Sequence, residues 1–373
     1  MKKIKVFFII VFILFPCIGL INYFANPFGV FDTNTSFTSY NTKFERYTIY
    51  PELKLKDEKA DYAIFGSSNT NTYVNTEMFK EATGKTFYDV SILRCTFLEM
   101  YYLIDAYYNL YPDEKMIISI EFDPLNDEPE ASVLDKMTKD TLTSDELTFL
   151  LFSQNAVISS VKMIYDYLNM QKQNIKSALK RNKYTKNLPF IKDYKYCYRK
   201  NEKQPRLRYD DWNTRKINKK NFITISKIKK YVDNKKIDAI FYMNPLNAYA
   251  IADIYMSGTY GEIEKAKREL VKITPFYDFL YVSKYNDKPV STKNLYWRDP
   301  FHAEDKLGVI MIKSMLSPKR TYGVLVTKDN IESVLRRERF FLEEFLDKHK
   351  TTVKKYRSFE DEDYTESYEL VCE

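Results

Sequence analysis

The chain has 373 residues, with 58 Lys and Arg against 51 Asp and Glu and 45% hydrophobic residues. That is enough for a packed core in one large or two ordinary domains, and too apolar for global disorder. Its eight glycines form neither a dinucleotide fingerprint nor a phosphate loop. The two histidines and four cysteines contain no C-x-x-C, so a Cys/His metal site is not expected. The usual NAD enzymes, P-loop NTPases and zinc fingers are thereby set aside. The Tyr, Phe and Trp total of 16% would suit a sugar-gripping surface, but it goes with a general bias toward Lys, Asn and Ile.

Residues 6–21 carry no charge and follow Lys2, Lys3 and Lys5. With Asn22, Tyr23 and Phe24 the run is just long enough for a spanning helix. The lysines keep its start cytoplasmic and send the remaining chain outside. A cleaved signal peptide is the rival, but no A-x-A site follows. Leu14-Phe15-Pro16-Cys17 fits a lipidation box poorly. An external location permits disulfides, and the sequence leaves open which of Cys95, Cys197 and Cys372 would pair.

Downstream, Asp61–Gly66 reads as a buried strand, followed by strand candidates at 86–92, 115–122 and 237–243. A helical pattern at 95–110 stops near Pro112. This alternation predicts an α/β fold, a three-layer α/β/α sandwich around a mostly parallel sheet. The middle breaks the rhythm: residues 172–220 hold 17 Lys/Arg against 4 Asp/Glu. They read as an insertion or lid. Either this is a solvated basic face or it docks an anionic polymer or the anionic membrane surface. Nucleic acid suits the charge but not the compartment. Residues 329–349 predict a helix with Asp329 as N-cap. The expected organisation is an anchor at 1–24, a juxtamembrane segment at 25–57 and an α/β domain at 58–320. That domain carries a basic insertion at about 125–230. A C-terminal helix at 321–357 and a flexible acidic tail at 358–373 complete it.

Two short pieces carry candidate chemistry. Gly66-Ser67-Ser68-Asn69-Thr70 directly follows the first strand. Gly66 allows a sharp turn, and a helix at about 70–82 would aim free N–H groups at the carboxyl edge of the sheet. A serine N-cap explains either serine without catalysis. Trp297-Arg298-Asp299-Pro300-Phe301-His302 holds one of the two histidines, with a carboxylate three residues before it. It precedes a helix at 305–316. A capping or packing histidine is the bland reading of His302. His349 lies among charged residues and is expected to be exposed, so a histidine base would be His302.

Strand–G-S-S–helix near the start and D-P-x-H before the last core helix resemble the SGNH (GDSL-like) hydrolase superfamily. The G-S-S form and the N-terminal anchor are similar to its envelope-facing branch, which serves teichoic-acid D-alanylation and alginate O-acetylation. The resemblance implies Ser68 as nucleophile, His302 as base and Asp299 as the acid that orients it, with no cofactor and no metal. The family's second block supplies a Gly N–H to the oxyanion hole. Here Tyr88–Ile92 lacks glycine and offers the Ser91 N–H. The third block, G-x-N-D, is echoed without its glycine at Asn126-Asp127, and Asn244 is a further donor candidate. The implied function is a membrane-anchored, extracytoplasmic serine esterase or acyltransferase. It would act on acetyl- or D-alanyl-type groups of a cell-envelope polysaccharide or teichoic-acid-like polymer. The alternative is a catalytically inactive scaffold that binds an anionic polymer or an integral-membrane acyltransferase. A sugar-phosphate transferase would need Asp123, Asp127 and Glu128 as metal ligands.

Overall fold

A computed structural model describes residues 2–25, 59–122, 125, 148, 151–154, 156–158, 160–161, 164, 198–201, 216–290, 294–318, 320–357 and 368–371. The chain divides into two compact units, residues 1–56 with 133–196, and residues 57–132 with 197–373. In the first unit, α1 (Lys2–Ala25) has Pro16 inside it. Its side chains are described from Leu14 onward. Gly19 leaves room for the Phe152 ring, which a Cβ would meet at 2.7 Å. Phe152 stacks on Phe15 at 4.2 Å, and Asn22 donates to the Leu151 carbonyl. Among the described residues no helix is long and apolar enough to cross a membrane.

The second unit has an α/β fold. Its elements are, in order, β1 (Tyr62–Phe65), α2 (Ser68–Asn71), α3 (Thr76–Thr83), β2 (Phe87–Asp89), α4 (Phe97–Leu110) and β3 (Lys115–Ile120). After β4 (Tyr198–Asn201) come α5 (Lys219–Asn234), β5 (Ala239–Met243), α6 (Ala248–Met256), α7 (Tyr260–Ile273) and β6 (Phe276–Asp278). α8 (Asp305–Leu316), β7 (Val324–Val326), α9 (Ile331–Arg357) and β8 (Tyr368–Val371) follow. A six-stranded sheet runs β2-β1-β3-β5-β6-β7, parallel except for β7. Met116 to Ile120 of β3 are all buried, as a strand covered on both faces requires. Ile64, Ile117 and Tyr242 share one core with Phe79 of α3 and Leu307 and Met311 of α8. One residue along β1, Phe65 instead meets Tyr107 of α4 edge-to-face at 5.6 Å. Alternate side chains of the strand thus leave in opposite directions.

Local signals set the helix starts. Thr96 and Glu99 form a capping box at α4, and Asn75 caps α3 by accepting from Met78 N–H. That cap also explains why the helix expected over 70–82 is broken in two. Tyr73 turns inward to reach Asn244, and a new helix starts at Thr76.

Three further differences concern two boundaries and the burial of one histidine. α5 begins inside the stretch expected as insertion and runs past its end, yet it packs against α4 and buries Phe222, Ile225, Ile228 and Val232. It is a crossover helix of the sheet, and its Lys-rich outer face hid that periodicity. The acidic tail, expected to be flexible, contains β8, which pairs antiparallel with β4. His349 is half-buried rather than exposed, stacked on Phe345 at 4.5 Å. Cys17 is a free thiol and the Cys95 thiol donates to the Thr96 carbonyl, whereas Cys197, Cys372 and most of 172–220 lie outside the described residues.

Candidate active site

β1 and β3 lie side by side within the sheet, and the chain proceeds from β1 to β2 on one side and from β3 to β5 on the other. Loops at the carboxyl ends of such a pair diverge and leave a crevice. Gly66 opens the loop after β1. A Cβ at this position would meet Thr70 Oγ1 at 2.1 Å, so only glycine lets the turn close so tightly. The two serines that follow differ. Ser67 is 5% exposed, and both its N–H and its hydroxyl donate to the carboxylate of Glu121, which directly follows β3. Ser68 is half-buried at the first position of α2, and among the described residues its hydroxyl makes no hydrogen bond.

The loop before α8 builds the other half. Trp297 and Ala303 form an isolated antiparallel bridge, and Arg298 N–H donates to the His302 carbonyl at 3.0 Å. Inside this loop Asp299 Oδ1 accepts from the N–H groups of Phe301 and His302, at 2.8 and 2.9 Å. Asp299 Oδ2 lies 2.7 Å from His302 Nδ1. With Nδ1–H donating to Asp299, Nε2 keeps its lone pair for a proton. Burial pushes the Asp299 carboxyl up, but the His302 hydrogen bond and charge and the two backbone donors outweigh it. The net result lies below the ordinary aspartate value. The side chains of His302 and Asp299 are 29% and 38% exposed, so the pair is reachable.

Both halves lie at the carboxyl edge. The Pro300 carbonyl accepts from Asn247 N–H, just after β5, and Asn75 Nδ2 donates to Asp305. No hydrogen bond joins Ser68 to His302 among the described residues. In unliganded sites such bonds are often long and tighten only with substrate.

The candidate oxyanion donors fare differently. Ser91 sits beside the Gly66 turn, because Val90 and Ile92 N–H donate to the carbonyls of Ile64 and Gly66. Its own N–H is taken by Asp89 Oδ1 at 2.8 Å, which leaves a buried hydroxyl without a partner among the described residues. Asn244 is 3% exposed, accepts from Tyr73 OH and donates to Thr70 Oγ1. Its amide therefore braces α2 from below rather than facing an open site. Asn126, Asp123, Asp127 and Glu128 lie outside the described residues. No group of three or more His, Cys, Asp or Glu among the described residues is arranged to hold a metal ion.

Sequence reasoning missed Glu121 as part of the site. Its signal was a carboxylate ending a continuous apolar strand, where a charge needs partners. No protein-family model matches the chain, and no curated protein matches it.

Proposed function

We propose that the chain is a serine esterase or O-acyltransferase of SGNH type, built as a three-layer α/β/α sandwich. It is anchored in the plasma membrane by its N-terminal segment, with the sheet domain outside the cytoplasm. The anchor rests on the uncharged run 6–21 behind three lysines. The chemistry rests on one observation above all. Asp299 holds His302 by Nδ1 at the carboxyl edge of a parallel sheet, where the half-buried Ser68 also lies.

In this reading His302 Nε2 takes the proton of Ser68 Oγ as the oxygen attacks an ester or thioester carbonyl. The new O–C bond pushes the carbonyl electron pair onto oxygen. Collapse of that intermediate breaks the bond to the leaving group, which takes the proton from His302. Asp299 stabilises the imidazolium meanwhile. A second acceptor hydroxyl then attacks the acyl-serine, losing its proton to His302, and regenerates Ser68. Water as acceptor gives an esterase. A sugar or polyol hydroxyl of an envelope polymer, which the basic composition of 172–220 would attract, gives a transferase of acetyl- or D-alanyl-type groups.

The second reading is an idle scaffold that binds an anionic polymer or an integral-membrane acyltransferase. It is favoured by the commitment of the Ser91 N–H and the Asn244 amide to other partners. One experiment separates the two. A fluorophosphonate probe is expected to label Ser68, and Ser68→Ala and His302→Ala are expected to abolish both labelling and polymer acylation. Undiminished labelling of Ser68→Ala refutes the nucleophile. Loss of polymer acylation only when the 172–220 lysines are neutralised favours the scaffold.

A further inference from the structure

One buried carboxylate gathers three donors of the turn that carries Ser68. Glu121 is 2% exposed at the end of β3. Its Oε1 accepts from Ser67 N–H at 2.9 Å and from Thr70 Oγ1 at 3.0 Å, and its Oε2 accepts from Ser67 Oγ. The donors bracket Ser68 and Asn69 on both sides in the sequence. Thr70, 0% exposed, is in turn braced by the Asn244 amide, and its approach to the turn is what excludes a side chain at position 66. These three donors help to disperse the charge of the carboxylate, which makes its burial tolerable.

We infer that Glu121 is the positioning residue for the nucleophile. It fixes the backbone of residues 67–70 so that the Ser68 hydroxyl points out of the turn, while Ser67 is kept from competing with it. The inference rests on the acyl-transfer reading of Ser68. Glu121 touches no reacting atom and takes no proton. Its contribution is geometric, and displacement of a reacting atom by about 1 Å costs roughly 100-fold in rate.

The conservative variant discriminates geometry from charge. Gln at position 121 keeps an acceptor for Ser67 N–H and Thr70 OH. It offers an N–H to the Ser67 hydroxyl, which accepts as readily as it donates. The experiment measures the rate of fluorophosphonate labelling of Ser68, per folded molecule, in the full chain. Hydrogen–deuterium exchange of the peptide spanning residues 66–72 is measured alongside. Glu121→Ala is expected to slow labelling about 100-fold and speed exchange of that peptide, while Glu121→Gln restores both. Labelling of Glu121→Ala at the wild-type rate overturns the inference, and so does a Gln variant as slow as Ala. If Glu121→Ala does not fold, Thr70→Val, which removes one of the three donors, is expected to slow labelling roughly fivefold. No change there overturns the inference. If the wild-type chain itself is not labelled at Ser68, the acyl-transfer reading fails. The exchange data then decide on the clamp alone, faster exchange in Glu121→Ala supporting it and unchanged exchange overturning it.

Discussion

Two buried polar clusters in the sheet unit solve the same problem in opposite ways. At the carboxyl edge a single carboxylate, Glu121, accepts from the neutral groups of Ser67 and Thr70, and the hydroxyls of Tyr73 and Tyr242 and the Asn244 amide extend the network. Burial pushes the Tyr73 and Tyr242 phenols up, and the Glu121 charge adds to it, so both stay protonated donors. The second cluster is ionic. Lys267 of α7 lies between Asp278 at the end of β6 and Glu338 of α9, at 2.6 and 2.7 Å, and also donates to the Leu280 carbonyl. All three charged side chains are at most 1% exposed. Neutral donors on one carboxylate hold a turn in one shape. The triad ties three elements together, but its one cation faces two carboxylates and so it answers to protons.

This contrast is open to breaking, and the largest effect is expected at the triad. Lys267→Met leaves two carboxylates buried without a cation. Urea denaturation is expected to show a loss of about 3–5 kcal/mol. A loss below about 1 kcal/mol would mean that the triad does not hold α7 to α9.

Next comes pH. Burial first, and the Asp278 charge second, push Glu338 up to about 8, against the pull of Lys267. A raised folded value means that the native state holds a proton the unfolded chain has already released. The stability this contributes is full below the ordinary glutamate value of 4.5 and is lost as pH rises toward about 8. The expected slope is at most one proton, about 1.4 kcal/mol per pH unit. Glu338→Gln is expected to flatten it, and an equally steep profile in that variant would assign the slope elsewhere.

The smallest effect is expected at the neutral network. Tyr73→Phe strips one hydroxyl from Asn244 and Tyr242 and is expected to cost about 1–3 kcal/mol, with no change in the pH profile of stability. A cost equal to that of Lys267→Met would erase the distinction between the two clusters.

The parts of this molecule legible in its sequence are those set by neighbours in the chain. β1, β3, β5, α4 and α8 lie where buried apolar runs, caps and helical spacing put them. Asp299 and His302 pair because three residues of one loop separate them, a distance a turn can close without help from the rest of the fold. β6 and β7 are three residues each, too short for a periodicity to register, and the equally short β2 was legible only as part of the longer run 86–92. α5 kept its apolar stripe, but the lysines on its solvent face obscured it.

What tertiary structure alone decided is which polar groups meet across the sheet. Local pattern marked the two serines after β1, and the family resemblance nominated Ser68 among them and offered Ser91 and Asn244 as donors. Only the side-by-side placement of β1 and β3 brings Glu121 to Ser67, 54 residues away, and gives adjacent serines different partners. The physical reason is that a buried hydrogen bond depends on separation in space. Within one turn the chain itself fixes that separation, whereas between strands the packing of the whole sheet does.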